Sequence, residues 1–298
     1  MNDPSRPTVE DRQRILLETA DTLVFKSLPD VEGPDLQIYL YQPVNPPKGE
    51  LRPMILFFFS SGWDRGHVSQ FAPQALHFAE RGVVTALVEY RTAASHPGST
   101  PIQAMQDVRS SIRWARMSAE ELRVDPEKII AAGGRAGGHM AATTAMNPDV
   151  REDGTDPEEI DGRPNGVVLF APIIDLTRDT YATKRFETPA EAKGFSLSRF
   201  IDPGMPPMII FHGTMDRFIP CESVRTFAKK LNRKKRNVCE FHPFDGREES
   251  FFNLNVDPFS YEAVLAATDQ FLVNQGFLPE NADEEGDARL ISWRESDF

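Results

Sequence analysis

The sequence predicts an α/β fold in which a mostly parallel central sheet carries helices on both faces. Strands covered on both faces read as short, continuous apolar runs, and this chain has five of them. They are residues 55–59, 83–88, 129–132, 167–170 and 208–211. Segments with helical periodicity lie between the runs, so that strands and helices alternate. In such sheets the functional residues are expected in loops at the carboxyl ends of the strands.

The predicted helices have recognisable starts, faces and ends. Thr100 and Pro101 are expected to be the N-cap and the first residue of one helix. Its apolar positions recur at steps of three and four: Ile102, Met105, Val108, Ile112 and Ala115. A second helix follows Cys221, and a third covers residues 260–275 and ends at Gly276. The second helix has an apolar face formed by Val224, Phe227 and Leu231.

Composition limits the classes of partner. The chain has 298 residues and a formal net charge of -12, so neither nucleic acid nor an anionic membrane surface is an expected partner. No apolar run approaches the ~18 residues that a membrane span requires. Its 2 cysteines are too few for a disulfide framework, and no residue spacing suggests a metal or another cofactor. The N-terminal residues contain no apolar segment of a signal peptide, which predicts a cytoplasmic protein, or a secreted or periplasmic one if a leader has been removed.

Residues 133–139 read Gly-Gly-Arg-Ala-Gly-Gly-His, which is a Gly-x-Ser-x-Gly nucleophile elbow with Arg135 in place of the serine. The elbow is the sharp strand-to-helix turn that presents the nucleophile of a serine hydrolase. An arginine cannot take that role, because its guanidinium stays protonated and has no lone pair with which to attack a carbonyl.

Five segments together resemble, in their order along the chain, the acetylxylan and feruloyl esterase branch of the α/β hydrolases, which is related to the hormone-sensitive lipases. They are residues 57–63, 89–91, 131–139, 212–216 with Pro220, and 251–253. The resemblance runs from about residue 23 to residue 278 and implies an α/β-hydrolase fold. It divides the chain into an N-terminal helical extension (1–22), the hydrolase domain (23–278) and an acidic tail (279–298), with a small lid expected at residues 177–200.

The resemblance also implies where a catalytic triad would lie. The nucleophile falls on Arg135, the catalytic acid on Asp216, and the catalytic histidine on Glu249. A carboxylate with an ordinary pKa near 4.3 is a poor replacement for the base that a serine nucleophile needs. Two of the three chemical groups are therefore missing, while the flanking glycines fit the family.

The oxyanion loop differs from the family pattern as well. Two of its usual glycines are Ser60 and Ser61, followed by Gly62, and the amide of Ala136 completes the equivalent positions. Serine side chains there are expected to crowd the loop or to hydrogen-bond within it.

These substitutions predict an esterase-like pseudoenzyme with a binding, regulatory or scaffold role. The alternative is an active carboxylic-ester hydrolase of the acetyl or feruloyl type with a non-standard nucleophile. Of the histidines, His139 is expected to be structural, and no other histidine is paired with a serine or cysteine in a known motif.

Arg135 has two interpretations. The first is an ion-pair plug in which Arg135 joins Asp216 and Glu249, so that the cleft is closed and neutral. The second is a ligand site in which Arg135 and the helix N-terminus bind a small carboxylate, acyl or phosphate group. Two neighbouring carboxylates favour the plug.

Further partners, a second copy of the chain or another protein, stay open. The apolar residues near the end of the tail suggest that it docks onto this or a neighbouring subunit; they are Leu290, Ile291, Trp293 and Phe298.

Overall fold

A computed structural model describes residues 15–43, 49–146, 150, 156–157, 159–177 and 180–280. In this part of the chain eight strands form one sheet, in the order β1-β2-β4-β3-β5-β6-β7-β8. The strands are β1 Asp21–Lys26, β2 Leu36–Tyr41, β3 Arg52–Phe58, β4 Val84–Val88, β5 Val124–Gly134, β6 Gly166–Phe170, β7 Met208–Gly213 and β8 Cys239–Phe244. β2 pairs antiparallel with β1 and β4, and all other pairs are parallel. The predicted α/β fold with a mostly parallel sheet is confirmed.

Helices connect the parallel strands. They are α1 Ala72–Glu80, α2 Pro101–Met117, α3 Ala119–Leu122, α4 Ala136–Met146, α5 Thr180–Thr183, α6 Pro189–Gly194, α7 Cys221–Asn232 and α8 Pro258–Asn274, with 3-10 helices at Val68–Phe71 and Leu197–Arg199. Among the helices described, none combines the length and the apolar character that a bilayer crossing requires.

The start of α2 confirms the predicted cap. The Thr100 side chain accepts a hydrogen bond from the Gln103 N–H, and the Gln103 side chain accepts one from the Thr100 N–H. Four of the five predicted apolar positions are fully buried, whereas Ile102 is only half-buried. Ala104, which lies two residues further along α2, is fully buried instead. The predicted apolar face of α7 is also buried.

The two ends of the chain are described only in part. Residues 15–18 form a helical turn, and β1 begins at Asp21, so the boundary expected at residue 22 falls inside a strand. β1 is an edge strand whose Leu23 and Val24 are 44% and 50% exposed, which explains why it has no continuous apolar run. Residues 1–14 and the tail residues 281–298 lie outside the described residues, and so does any docking of that tail.

A buried cluster of charges connects the first strand to the sheet's helices. Asp107 on α2 is fully buried and accepts hydrogen bonds from Lys26 Nζ at 2.9 Å and from Arg91 Nη2 at 2.6 Å and Nε at 2.7 Å. Lys26 ends β1, and Arg91 lies in the loop that follows β4. One carboxylate thus holds three segments together, and each charge has an opposite partner.

We expect Asp107→Asn to lower the free energy of unfolding by about 3–5 kcal/mol, because it leaves two buried cations without their carboxylate. Urea denaturation followed by circular dichroism measures the change. Glu222→Gln is the matched control, since Glu222 pairs with Arg225 on the exposed surface of α7 and such changes stay within about 0.5 kcal/mol. Equal effects of the two substitutions would contradict a structural role for the Asp107 cluster.

Candidate active site

The elbow between β5 and α4 is built by a close approach of helix and strand. A Cβ on Gly137 would lie 2.2 Å from the Phe58 carbonyl oxygen, and one on Gly133 would lie 2.5 Å from the Gly137 backbone. Only glycine allows the first turn of α4 to approach β3 and β5 this closely. The chain reverses between them at Arg135, whose φ of 52° lies in the left-handed region. The predicted elbow geometry is therefore present with an arginine at its apex.

The Arg135 side chain points to the loop that follows β7. Its Nη1 donates a hydrogen bond to Asp216 Oδ2 at 2.8 Å, and its guanidinium carbon lies 5.5 Å from the centre of the Phe218 ring. The Arg135 side chain is 16% exposed, whereas that of Asp216 is fully buried. The two residues that the sequence analysis predicts at the nucleophile and acid positions are thus joined by an ion pair.

Asp216 is fixed by its own loop as well as by Arg135. Its Oδ1 accepts hydrogen bonds from the backbone N–H groups of Phe218 and Ile219, each at 2.9 Å. The Nε2 atom of His212 lies 3.3 Å from Oδ2 and 2.9 Å from the Ile219 carbonyl oxygen. Burial lowers the pKa of His212, so its ring is neutral at pH 7. Arg135 is consequently the cation that balances the Asp216 carboxylate.

Glu249 does not join this ion pair, which corrects the expected three-residue plug. It lies in the loop between β8 and α8 with a half-buried side chain, and within the described residues it makes no ion pair or hydrogen bond. The neighbouring Glu248 pairs with Arg217 on the surface at 2.8 Å. Arg135 therefore faces one carboxylate rather than two.

The oxyanion loop follows β3 and lies directly against the elbow. The Ser60 Oγ atom is 2.8 Å from the position that a Cβ on Gly134 would take, and it is buried without a hydrogen-bond partner in the described structure. The Ser60 N–H donates to Gln70 Oε1 at 2.6 Å, and Gln70 Nε2 donates to Asn253 Oδ1 at 3.0 Å. The amide of Gln70 thus ties this loop to the segment before α8.

Ser61 has the hydrogen-bonding role that was expected of a serine in this loop. Its Oγ accepts from the Trp63 N–H at 3.0 Å and lies 2.8 Å from the Tyr90 hydroxyl, which also donates to the Phe59 carbonyl at 2.5 Å. The Ser61 hydroxyl is engaged and 9% of the residue is exposed. Within the described residues, the N–H groups of Ser61 and Gly62 have no hydrogen-bond acceptor. These two backbone donors are therefore unpaired within the described part of the chain.

Residues 177–200, expected to be a small lid, pack on this loop; residues 178–179 lie outside the described part. The Tyr181 hydroxyl donates to Asp64 Oδ2 at 3.0 Å, and Arg185 Nη2 lies 2.8 Å from the same oxygen. The Phe186 ring meets the Trp63 ring edge-on at 5.8 Å. The segment is thus in contact with the residues that follow the oxyanion loop.

His139 and His67 are both held in structural hydrogen bonds. His139 is fully buried, its Nδ1 lies 2.7 Å from the Ile173 carbonyl oxygen, and burial lowers its pKa to about 4. His67 Nδ1 lies 2.7 Å from Ser69 Oγ, but it also accepts the Ser69 N–H and caps a 3-10 helix, and Ser69 is only 3% exposed. Within the described residues, no three His, Cys, Asp or Glu side chains group as a metal site.

Comparisons with known proteins agree with this fold. The BD-FAE family matches residues 36–231. Esterase 2 of Thermogutta terrifontis, solved after phosphoramylation by tabun, has a TM-score of 0.82 and 39% identity, over 89% of this chain and 98% of that one. The same esterase with propionate bound has a TM-score of 0.81 and 37% identity, over 89% of this chain and 98% of that one.

Two relatives are more distant and longer. The "Probable carboxylic ester hydrolase LipM" of Mycobacterium tuberculosis is 24% identical over 254 residues, which are 80% of this chain and 58% of LipM. Endo-1,4-beta-xylanase B of Butyrivibrio fibrisolvens is 29% identical over 168 residues, 54% of this chain and 26% of the xylanase. The chain thus spans less than two thirds of the length of either relative.

We expect Arg135→Gly to lower the free energy of unfolding by about 2 kcal/mol near pH 7, because loss of the buried pair outweighs the relief of left-handed strain. Lowering the pH to about 5 should shrink the loss, since a carboxyl group buried without a cation takes up a proton more readily. Thermal unfolding at both pH values measures these changes.

Arg123→Gly is the matched control for that experiment. Arg123 also has a left-handed φ, 56°, but it is exposed and makes no ion pair within the described residues. Its replacement relieves the same kind of strain and should stabilise the fold. If Arg135→Gly were stabilising too, Arg135 would not be the counterion of Asp216.

Proposed function

The chain belongs to the BD-FAE family of esterase-like α/β hydrolases, and within it we propose a non-hydrolytic member, a pseudoenzyme with a binding or regulatory role. A single observation carries the proposal: the residue at the apex of the elbow is an arginine in an ion pair with Asp216. In a serine hydrolase that apex supplies the oxygen that becomes bonded to the acyl group.

The chemistry fails at two separate steps. A guanidinium has no lone pair for attack, so no acyl-enzyme forms at Arg135. We infer that the base is absent as well, because the resemblance aligns Glu249 with the family's histidine, and the buried His212 and His139 contact backbone carbonyl oxygens. Removal of a triad residue leaves only the small residual rate that substrate binding and the oxyanion hole supply.

The second candidate is an active carboxylic-ester hydrolase, and the comparisons by themselves favour it. Esterase 2 of Thermogutta terrifontis is 39% identical to this chain and, by its description, is phosphoramylated by tabun. Activity here needs another nucleophile. Ser60 is near the elbow but has no histidine within hydrogen-bond reach among the described residues, and Ser61 and Ser69 are engaged and buried.

We expect the purified protein neither to take up a fluorophosphonate probe nor to hydrolyse p-nitrophenyl acetate above an albumin control, because both reactions need an activated serine. Intact-mass spectrometry detects the label at one adduct per chain. Stoichiometric labelling of any serine would overturn the pseudoenzyme and establish the hydrolase, and peptide mapping would then identify the nucleophile.

Introducing a serine at residue 135 and a histidine at residue 249 tests the same proposal by a gain of activity. Arg135→Ser with Glu249→His should hydrolyse p-nitrophenyl acetate at least about tenfold faster than Arg135→Ser alone, because a histidine general base is worth that much or more. Adding Ser60→Gly should raise the rate further, whereas Ser61→Gly should not, since the Ser61 hydroxyl holds Trp63 and Tyr90 in place. A folded but inert double variant would show that residue 249 does not face the elbow.

A further inference from the structure

We propose a second ligand site, at the edge of the sheet opposite the elbow, for a small molecule with one carboxylate and two ammonium groups, such as a basic amino acid. The site is a cleft of about 560 Å³, a size typical of small-molecule sites. We call it the rear cleft, and its charged lining residues are Arg116, Glu127, Glu159, Asp161 and Arg163.

The rear cleft is separate from the elbow. Its walls come from the end of α2, the start of β5 and the loops that precede β6 and β7, so it lies at the amino ends of three parallel strands. The elbow follows the carboxyl end of β5. The inference therefore does not depend on whether the chain hydrolyses esters.

Arg116 brings a cation into the cleft, and its hydrogen-bond partners are neutral. Its Nη2 donates to the Arg163 carbonyl oxygen at 2.6 Å and to Asn165 Oδ1 at 3.0 Å. Its Nη1 donates to the Asp161 carbonyl oxygen. Among the described residues Arg116 forms no ion pair. The guanidinium is thus fixed in position, but no carboxylate neutralises it by direct contact.

Arg163 adds a second cation with an unused donor. Its Nη2 donates to the Gly204 carbonyl oxygen over a long distance of 3.4 Å, and its buried Nε has no hydrogen-bond partner in the part of the chain that is described. Buried polar groups are paired with protein or with a bound molecule in the great majority of cases. Two guanidiniums in one cleft favour a carboxylate, which can pair with a guanidinium through two parallel hydrogen bonds.

Three carboxylates supply the opposite sign of charge. Glu127, Glu159 and Asp161 line the same cleft, are exposed, and form no ion pair within the described ranges. Burial lowers the pKa of Arg116, and the carboxylates of Asp161 and Glu127 oppose that shift, so they lie within electrostatic range of the guanidinium. The cleft therefore presents both signs of charge, with one more carboxylate than guanidinium, and a ligand with one carboxylate and two ammonium groups balances them.

The remaining lining suits an aliphatic chain. It includes the side chains of Ile160, Pro126, Pro164 and Pro206, which are buried or half-buried. These side chains have no hydrogen-bonding groups and can pack against methylene groups. A phosphate ester lacks the ammonium groups, and the three carboxylates oppose its second negative charge. Lysine combines a carboxylate, two ammonium groups and four methylene groups, so it is the probe.

Isothermal titration calorimetry of the full chain with L-lysine, L-lysinamide and L-norleucine tests the ligand class. Lysinamide lacks the carboxylate, and norleucine has a similar chain without the second ammonium group. We expect lysine to bind with a dissociation constant below about 1 mM. Lysinamide should bind at least about tenfold more weakly, and norleucine several-fold more weakly. No binding of lysine, or equal binding of either analogue, would overturn the proposal.

Arg163→Gln locates the carboxylate of the ligand. It should weaken lysine about tenfold and leave lysinamide unchanged, because lysinamide lacks the group that Arg163 pairs with. Arg123→Gln is the matched control, since Arg123 is an exposed arginine next to the start of β5 that does not line the cleft. Equal losses for lysine and lysinamide in Arg163→Gln would contradict the assigned contact.

Glu127→Gln with Glu159→Gln locates the second ammonium group and gives a readout if Arg163→Gln does not fold. Both side chains are exposed. The double variant should weaken lysine several-fold and norleucine much less. Glu120→Gln with Glu121→Gln changes two exposed carboxylates on α3 outside the lining and should affect neither ligand. An unchanged preference for lysine over norleucine in the first double variant would overturn the assignment.

Discussion

The close approach of α4 to the ends of β3 and β5 determines the geometry of the whole site. Since a Cβ on Gly137 would lie 2.2 Å from the Phe58 carbonyl oxygen, the helix must begin at once after the strand, and residue 135 must take a left-handed conformation. The Arg135 carbonyl then accepts hydrogen bonds from the N–H groups of His139 and Ile173. Any side chain at this position is held at the carboxyl edge of the sheet, whatever its chemistry.

The electrostatics of the site follow from the Asp216 carboxylate, whose position is fixed by its own loop. Two backbone N–H groups hold Asp216 Oδ1 at 2.9 Å, so this acid keeps its place whether its partner is a histidine or an arginine. In a serine hydrolase the partner is a base that gains and loses a proton during turnover. An arginine in this position carries a permanent charge. Both charges of the Asp216–Arg135 pair are therefore fixed.

Sequence reasoning succeeded for the strands that are buried on both faces and for the capped helix. The five apolar runs all lie in strands β3 to β7, and the cap at Thr100 was predicted from two residues. Edge strands β1 and β8 have exposed or half-buried positions and gave no continuous apolar run. Strand β2 alternates between buried and half-buried residues, which is typical of a strand in an antiparallel pair.

The candidate site was predicted in its positions but not in all its contacts. The contact between Arg135 and Asp216 was expected because the resemblance assigns them to the nucleophile and acid positions of one triad. The contacts of Glu249 were not predictable, since a loop has no period that fixes the direction of a side chain. The contact of Tyr181 with Asp64, which joins two different segments, was not predictable for the same reason. Neither was the contact of His212 with Asp216, which lies within one irregular turn.

The elbow glycines have a consequence for reading motifs in related sequences. Gly133 and Gly137 are required by the distance between a helix and two strands, and that requirement does not depend on the side chain of residue 135. A side chain at either position would collide with backbone atoms, so this fold needs glycine there whatever residue stands at position 135. A glycine pattern of this kind therefore indicates the strand-to-helix turn and not the reaction. The chemistry at the apex of the turn is determined by the residue that the pattern encloses.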